Sequence, residues 1–269
     1  MKRNHRVLWS ALAISCLVLT ALTFAASGRL RGLAAENPKS TNQSNPKRAA
    51  YVRRNNLSPK LVWHLNALGD RLEKPGRERL NLTGTLSRAG DSQEVVAVFE
   101  FPERLRLTMQ KGGQTRVISF DGEHAKVEGS SLEGVDEDLI ETLVYGSAEH
   151  FFNTQMQGMS TRLLGSRFLL HRGSTADYNG PYYDVYKVTE QVKTKFYYFN
   201  SDTLLLERVT YDITRNGSTI KVEERLGDWT KEQGQQVARR IERFENGESV
   251  FVFTVRTARL APRAADAVF

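Results

Sequence analysis

The chain has 269 residues, is 40% hydrophobic and 26% charged, and carries a formal net charge of +7 with a pI near 9.5. Ten basic groups and a single acid fall in residues 1–56, so the rest of the chain holds 28 basic and 30 acidic groups, a balance of −2. Nucleic-acid binding needs Lys and Arg clustered on a folded face, so the high pI is no sign of such a partner, and the composition also excludes a polytopic membrane protein and a wholly disordered chain.

Val7 to Ala26 is an uncharged run of twenty residues behind Lys2, Arg3 and Arg6. At 1.5 Å per residue it spans a hydrocarbon core of roughly 30 Å, and its cationic flank favours a cytoplasmic start. Residues 1–35 therefore read equally as a cleaved signal peptide or as a signal-anchor holding the chain in the inner membrane through residues 7–26. Either way the remainder is exported to the periplasm. Cys16, the only cysteine, lies in this run, which leaves the exported part without disulfide or thiolate chemistry. Residues 36–57 are polar and basic and read as a flexible linker, with one domain over 58–269.

Ser58-Pro59 opens a helix with Leu61, Val62, Leu65, Leu68 and Leu72 on one stripe, and Pro75-Gly76 stops it. Alternation then predicts strands at Arg79–Arg88, Glu94–Phe101, Leu105–Met109 and Thr115–Phe120, separated by glycine turns. Residues 136–156 read as a second helix, with Asp136, Glu137 and Asp138 at its favourable end. Strands resume at Arg162–Leu170, Tyr182–Glu190, Lys195–Asn200, Leu204–Ile213, Thr219–Leu226, Val237–Phe244 and Val250–Leu260. Eleven or twelve strands and two helices predict a mainly β (α+β) fold built on a single antiparallel sheet.

No catalytic residue stands out. His64 and His150 are each alone on a predicted helix, His124 and His171 lie near turns, and no paired spacing marks a metal site. No phosphate-cradling glycine loop occurs, so no cofactor is expected. Glu223 and Glu224 are strand neighbours whose side chains point to opposite faces. What remains is aromatic content, with Phe196-Tyr197-Tyr198-Phe199 apolar on both faces. That fits an ordinary two-sided core, or a curled sheet with helices across its mouth and an apolar cavity inside.

The order of elements resembles the periplasmic outer-membrane lipoprotein-carrier and lipoprotein-sorting (LolA/LolB-like) superfamily. The likeness rests on Phe101-Pro102-Glu103-Arg104-Leu105-Arg106-Leu107, on Ser119-Phe120-Asp121-Gly122-Glu123 and on the stretch Phe196 to Arg208. Gly217, Gly227-Asp228-Trp229, Gly234 and the hairpin at Asn246-Gly247 add to it. The resemblance implies a strongly curved, unclosed antiparallel sheet with helices as a lid, holding lipid or lipoprotein acyl chains. Phe99, Phe101, Leu105, Leu107, Met109, Phe120, Phe199, Phe251 and Phe253 are then expected on the cavity wall, and Leu65, Leu68, Leu139, Leu143 and Phe151 on the lid. Other envelope proteins are the further expected partners. A membrane-tethered structural or protein-interaction domain without a ligand is the alternative.

Overall fold

A computed structural model describes residues 57–128, 133–156, 159, 161–168, 181–190 and 193–263. They belong to the second of two compact units, Pro46–Phe269. The leader or anchor, the linker up to residue 56, and His171 lie outside the described residues. Among the described residues no helix is long and apolar enough to cross a membrane.

Helix α1 is Pro59–Leu68, with Ser58 Oγ accepting the Leu61 N–H at 3.4 Å and proline at the first position. It ends earlier than the sequence predicts, at Gly69 with φ 107°. A Cβ there would also overlap the Gln235 side chain, so the distant Gln235, not Pro75-Gly76, fixes this end. Five strands follow: β1 (Arg79–Arg88), β2 (Asp91–Glu100), β3 (Arg104–Lys111), β4 (Gln114–Phe120) and the short β5 (Ala125–Val127).

The single helix expected over 136–156 is three pieces: α2 (Gly134–Ile140), a π-helical turn (Glu141–Tyr145) and α3 (Ala148–Met156). The break falls at Gly146, whose N–H reaches back to the Glu141 carbonyl at 2.9 Å. Ser147 then caps α3, its Oγ accepting the His150 N–H at 3.1 Å. Asp136 acts within the start of α2 as a capping-box partner for the Glu133 N–H, while Asp138 turns away from solvent.

The second half holds β6 (Thr161–Phe168), β7 (Tyr182–Glu190), β8 (Lys193–Asn200), β9 (Leu206–Arg215) and β10 (Ser218–Gly227). The strand expected at Val237–Phe244 is corrected. Thr230–Glu232 (β11) and Gln235–Val237 (β12) form a separate small hairpin around Gln233 and Gly234, both at positive φ. The main sheet resumes with β13 (Arg240–Glu245) and β14 (Glu248–Ala261).

Twelve of these strands form one antiparallel sheet in the order β5-β4-β3-β2-β1-β14-β13-β10-β9-β8-β7-β6. Its two ends do not pair, so the sheet is unclosed, as expected. Bulges interrupt the register at Thr83/Gly84, Tyr198/Phe199, Arg243/Phe244 and Leu163/Ser166; each such insertion bends and twists its strand. The topology explains the lid. The chain leaves one free edge at β5 and returns at the other, β6, so the helical segment between them must cross the sheet.

That crossing decides which face is dry. Tyr197 and Phe199 of β8 are buried, with ring centroids 4.9 and 5.0 Å from Phe151 of α3. Their neighbours Phe196 and Tyr198, on the opposite face, are only partly buried, and Val96 of β2 is exposed.

Candidate functional site

The described residues enclose an apolar pocket where the helical segment meets β1, β2 and the small hairpin. Leu80, Leu82, Phe99 and Phe101 line one side, Leu143 and Val144 the lid side, and Leu226, Trp229, Val237, Ala238 and Ile241 the floor. Arg71, Glu100, Glu103, Arg104 and Glu149 supply its charged groups. The cavity volume is about 60 Å³, well under the roughly 150 Å³ of an apolar cavity that admits benzene. The cavity as it stands is too small for a whole acyl chain.

Of the residues expected on the wall, Phe99 and Phe101 line this pocket, and Leu143 does so from the lid. Leu105, Leu107, Met109, Phe120, Phe199, Phe251 and Phe253 are instead packed in one continuous core with Leu65, Leu68, Leu139 and Phe151. Wall and lid residues are thus brought together, but largely in contact with each other. Leu80 and Leu82 alternate visibly in the sequence with Asn81, so their inward direction was readable. Trp229 and Ala238, which flank the small hairpin, and Val237, which ends it, were not readable as pocket residues, because the expected strand at Val237–Phe244 hid that hairpin.

The larger surprise is a buried ionic layer between lid and sheet. Arg243 of β13 is 1% exposed. Its guanidinium donates to Asp138 of α2 at 2.9 Å, to the Tyr211 hydroxyl at 2.8 Å and to Glu245 at 3.0 Å. Tyr211 donates in turn to Glu224 Oε1 at 2.7 Å. Burial pushes the Glu224 carboxyl above its usual range, with Lys195, Tyr211 and Arg243 acting against that rise. Arg215 closes the outer side, reaching Asp138 and Glu245 at 2.9 Å each.

One step along the lid, Lys195 of β8 meets Glu141 at 2.7 Å and donates to the Tyr145 carbonyl at 3.1 Å. The Tyr197 hydroxyl donates to the same carbonyl at 3.1 Å. The π-helical turn leaves that oxygen without a helical partner, and the sheet satisfies it. Burial works to raise Glu141, but Lys195 and Lys193 outweigh it and hold the carboxyl low.

His150 of α3 completes the layer. Its Nδ1 lies 3.2 Å from Glu103 and its Nε2 3.1 Å from Glu190, and Asn153 also donates to Glu103, at 2.7 Å. Each ring nitrogen faces a carboxylate oxygen, an arrangement that favours the protonated imidazolium over the neutral ring. Burial tends to lower its pKa, yet the two carboxylates outweigh burial and raise it. Glu103 precedes β3 and Glu190 ends β7, so one side chain ties the lid to both halves of the sheet.

Further polar contacts hold α1 and the segment just behind it. Asp184 of β7 binds Lys60 at 2.6 Å and Ser166 at 2.7 Å, with His64 Nε2 at 3.4 Å. Burial lowers His64 despite its partners Leu204 and Asp184. Arg71 pairs with Glu149 at 2.7 Å. Among the described residues no group of His, Cys, Asp and Glu is arranged to hold a metal ion.

No family model and no curated protein sequence matches this chain. Among solved structures the chain is similar to a LolA superfamily protein from Nitrosomonas europaea, at 11% identity and a TM-score of 0.49 over 76% of this chain and 94% of that one. It is also similar to a putative outer membrane lipoprotein-sorting protein domain from Vibrio parahaemolyticus, at 9% identity and a TM-score of 0.46 over 75% and 90%. A third, a DUF1329 family protein from Desulfovibrio piger, has 12% identity and a TM-score of 0.40 over 76% and 94%.

Proposed function

We propose that this is an exported, non-enzymatic envelope domain that binds lipid or lipoprotein acyl chains between its curved sheet and its helical lid. The observation that carries the reading is the apolar pocket at the seam, with Leu80, Leu82 and Ile241 from the sheet, Leu143 and Val144 from the lid, and charged groups around it. Apolar pockets with a few convergent polar groups are the usual form of small-molecule sites. The uncharged run Val7–Ala26 supports export. Because the cavity is small, loading depends on displacement of the segment from α2 to α3.

The full chain recovered from expressing cells is expected to carry bound lipid in native mass spectrometry, or to take up a fluorescent fatty acid. A lipid-free mass together with no uptake overturns the reading. A filled interior, with Phe151, Phe199 and Phe251 each at most 1% exposed, favours the second reading, a ligand-free protein-interaction domain, and that same negative result would support it.

A further inference from the structure

Four large hydrophobic side chains stand exposed among the described residues: Trp63, Val96, Leu163 and Tyr182. Three of them gather at one corner, where α1 lies against β7 next to the edge strand β6. Tyr182, Asp184 and Tyr186 alternate onto one face of β7. That face lies under α1, since Lys60 binds Asp184 at 2.6 Å and the His64 ring stands edge-on to Tyr186 at 5.8 Å. Leu163 of β6 is directly across from Tyr186 and shares its face. Trp63 is three residues beyond Lys60, beside it on the helix surface, and away from the stripe of Leu61, Leu65 and Leu68 that joins the core. Exposures of 56% for Trp63, 49% for Tyr182 and 43% for Leu163 make this an apolar corner on a helix that is otherwise well seated.

We propose that this corner docks on the surface of an anionic lipid bilayer, with Trp63, Tyr182 and Leu163 entering the interfacial layer. Two observations choose a membrane over a protein partner. Trp and Tyr are the side chains enriched at membrane–water interfaces, apolar in the ring and polar at the tip. The chain also enters α1 directly from residues 46–56, which hold Lys47, Arg48, Arg53 and Arg54 and no acid. Trp63 is only about 6 Å along the helix axis from Pro59 at 1.5 Å per residue, so that basic segment joins the domain beside the apolar corner. Anionic headgroups attract such a segment by about fivefold in affinity per Lys or Arg near the surface. Lys60 is already paired with Asp184, which lowers the cost of covering it. Asp202 is an exposed acid near the patch, in the turn whose Ser201 N–H donates to the Tyr182 carbonyl at 2.8 Å. The attraction therefore comes from residues 46–56, and the insertion from the apolar side chains. The acyl pocket lies elsewhere, and its lining contains none of the three.

Quenching of tryptophan emission by lipids brominated on their acyl chains tests the contact. The full chain with Trp9→Phe keeps Trp63 and Trp229, and Trp229 packs against the core. The emission lost on adding Trp63→Phe is then that of Trp63. On vesicles of phosphatidylcholine mixed with phosphatidylglycerol, brominated lipid is expected to quench most of that share, and on phosphatidylcholine alone much less. Leu163→Asp should reduce the quenching severalfold. Arg53→Gln with Arg54→Gln should shift the docking equilibrium by about fivefold for each group removed. Val96→Trp, added to the chain carrying Trp9→Phe and Trp63→Phe, reports from β2 in the other half of the sheet and should stay unquenched. Unquenched Trp63 on the mixed vesicles overturns the membrane assignment and leaves the corner to a protein partner. Equal quenching on phosphatidylcholine alone overturns the choice of an anionic surface. Equal quenching of the Val96→Trp chain overturns the choice of face.

Discussion

Glu224 Oε2 occupies the space that a side chain at Gly146 would need. A Cβ on Gly146 would overlap that oxygen and stand 2.9 Å from Glu224 Cδ and 2.6 Å from the Thr142 carbonyl. Gly146 has φ −87°, open to any residue, so the glycine is there for room and not for backbone freedom. A buried carboxylate on the sheet thus coincides with the point where the lid helix breaks.

Gly146→Ala is therefore expected to destabilise the domain by about 1–3 kcal/mol, the usual range for overpacking a filled interior. Urea unfolding followed by tryptophan fluorescence measures it. An unchanged midpoint would show that Glu224 does not press against the lid.

Arg243 balances three carboxylates at once. Arg243→Met leaves Asp138, Glu224 and Glu245 facing each other with only Arg215 still in reach of two of them. Breaking a buried ion pair from one side costs about 3–5 kcal/mol. Denaturant midpoints of Arg243→Met and of Arg243→Met with Glu224→Met test this. The double variant should recover part of the loss, because it removes a stranded charge.

The His150 clamp sets a pH dependence. Its folded pKa is raised above the unfolded value of 6.5, so its contribution is full below about pH 6.5 and is lost as pH rises through the folded value. Glu103 and Glu190 are held below their usual 4.5, Glu103 chiefly by the His150 hydrogen bond and Glu190 by His150 and Lys195 against burial. Their contribution is present above about pH 4.5 and is lost as pH falls through their folded values. The clamp is thus strongest between these limits. Stability measured from pH 4 to 9 should fall on the alkaline side in the native chain, and His150→Gln should flatten that limb. A His150→Gln profile parallel to the native one would contradict the clamp.

Leu82→Trp tests the pocket itself. Leu82 is 2% exposed and faces the cavity, so the larger ring should fill it and reduce fatty-acid uptake at least severalfold. Phe253→Leu, in the core away from the pocket lining, should lower the melting temperature without changing uptake. Uptake unaffected by Leu82→Trp would place the ligand elsewhere.

Much of the sheet was readable because its inner face repeats every second residue: Leu80 and Leu82, Leu105, Leu107 and Met109, Phe251 and Phe253. Glycine turns such as Asn246-Gly247 fixed the hairpins. The helix over 136–156 was readable as an apolar stripe, but its break was not, since Gly146 is shaped by Glu224, 78 positions away in the chain. The buried charges were invisible for the same reason. Asp138 looks like a helix-start acid until Arg243 is brought against it, and the opposite-face placement of Glu223 and Glu224 does not say which of the two is buried or what it meets.

The sequence by itself determined an uncharged run of twenty residues at Val7–Ala26, a near-neutral balance of charge over residues 57–269, and a mainly antiparallel sheet with helices between its halves. These follow from local quantities: run length, charge placement and the period of the side chains. Only the tertiary structure decided that the interior is largely filled and that the lid is held by Arg243, Lys195 and His150. Those are long-range contacts between strands that hydrophobic patterning aligns without specifying which polar groups will meet, and electrostatics inside a dry interior depends on that meeting alone.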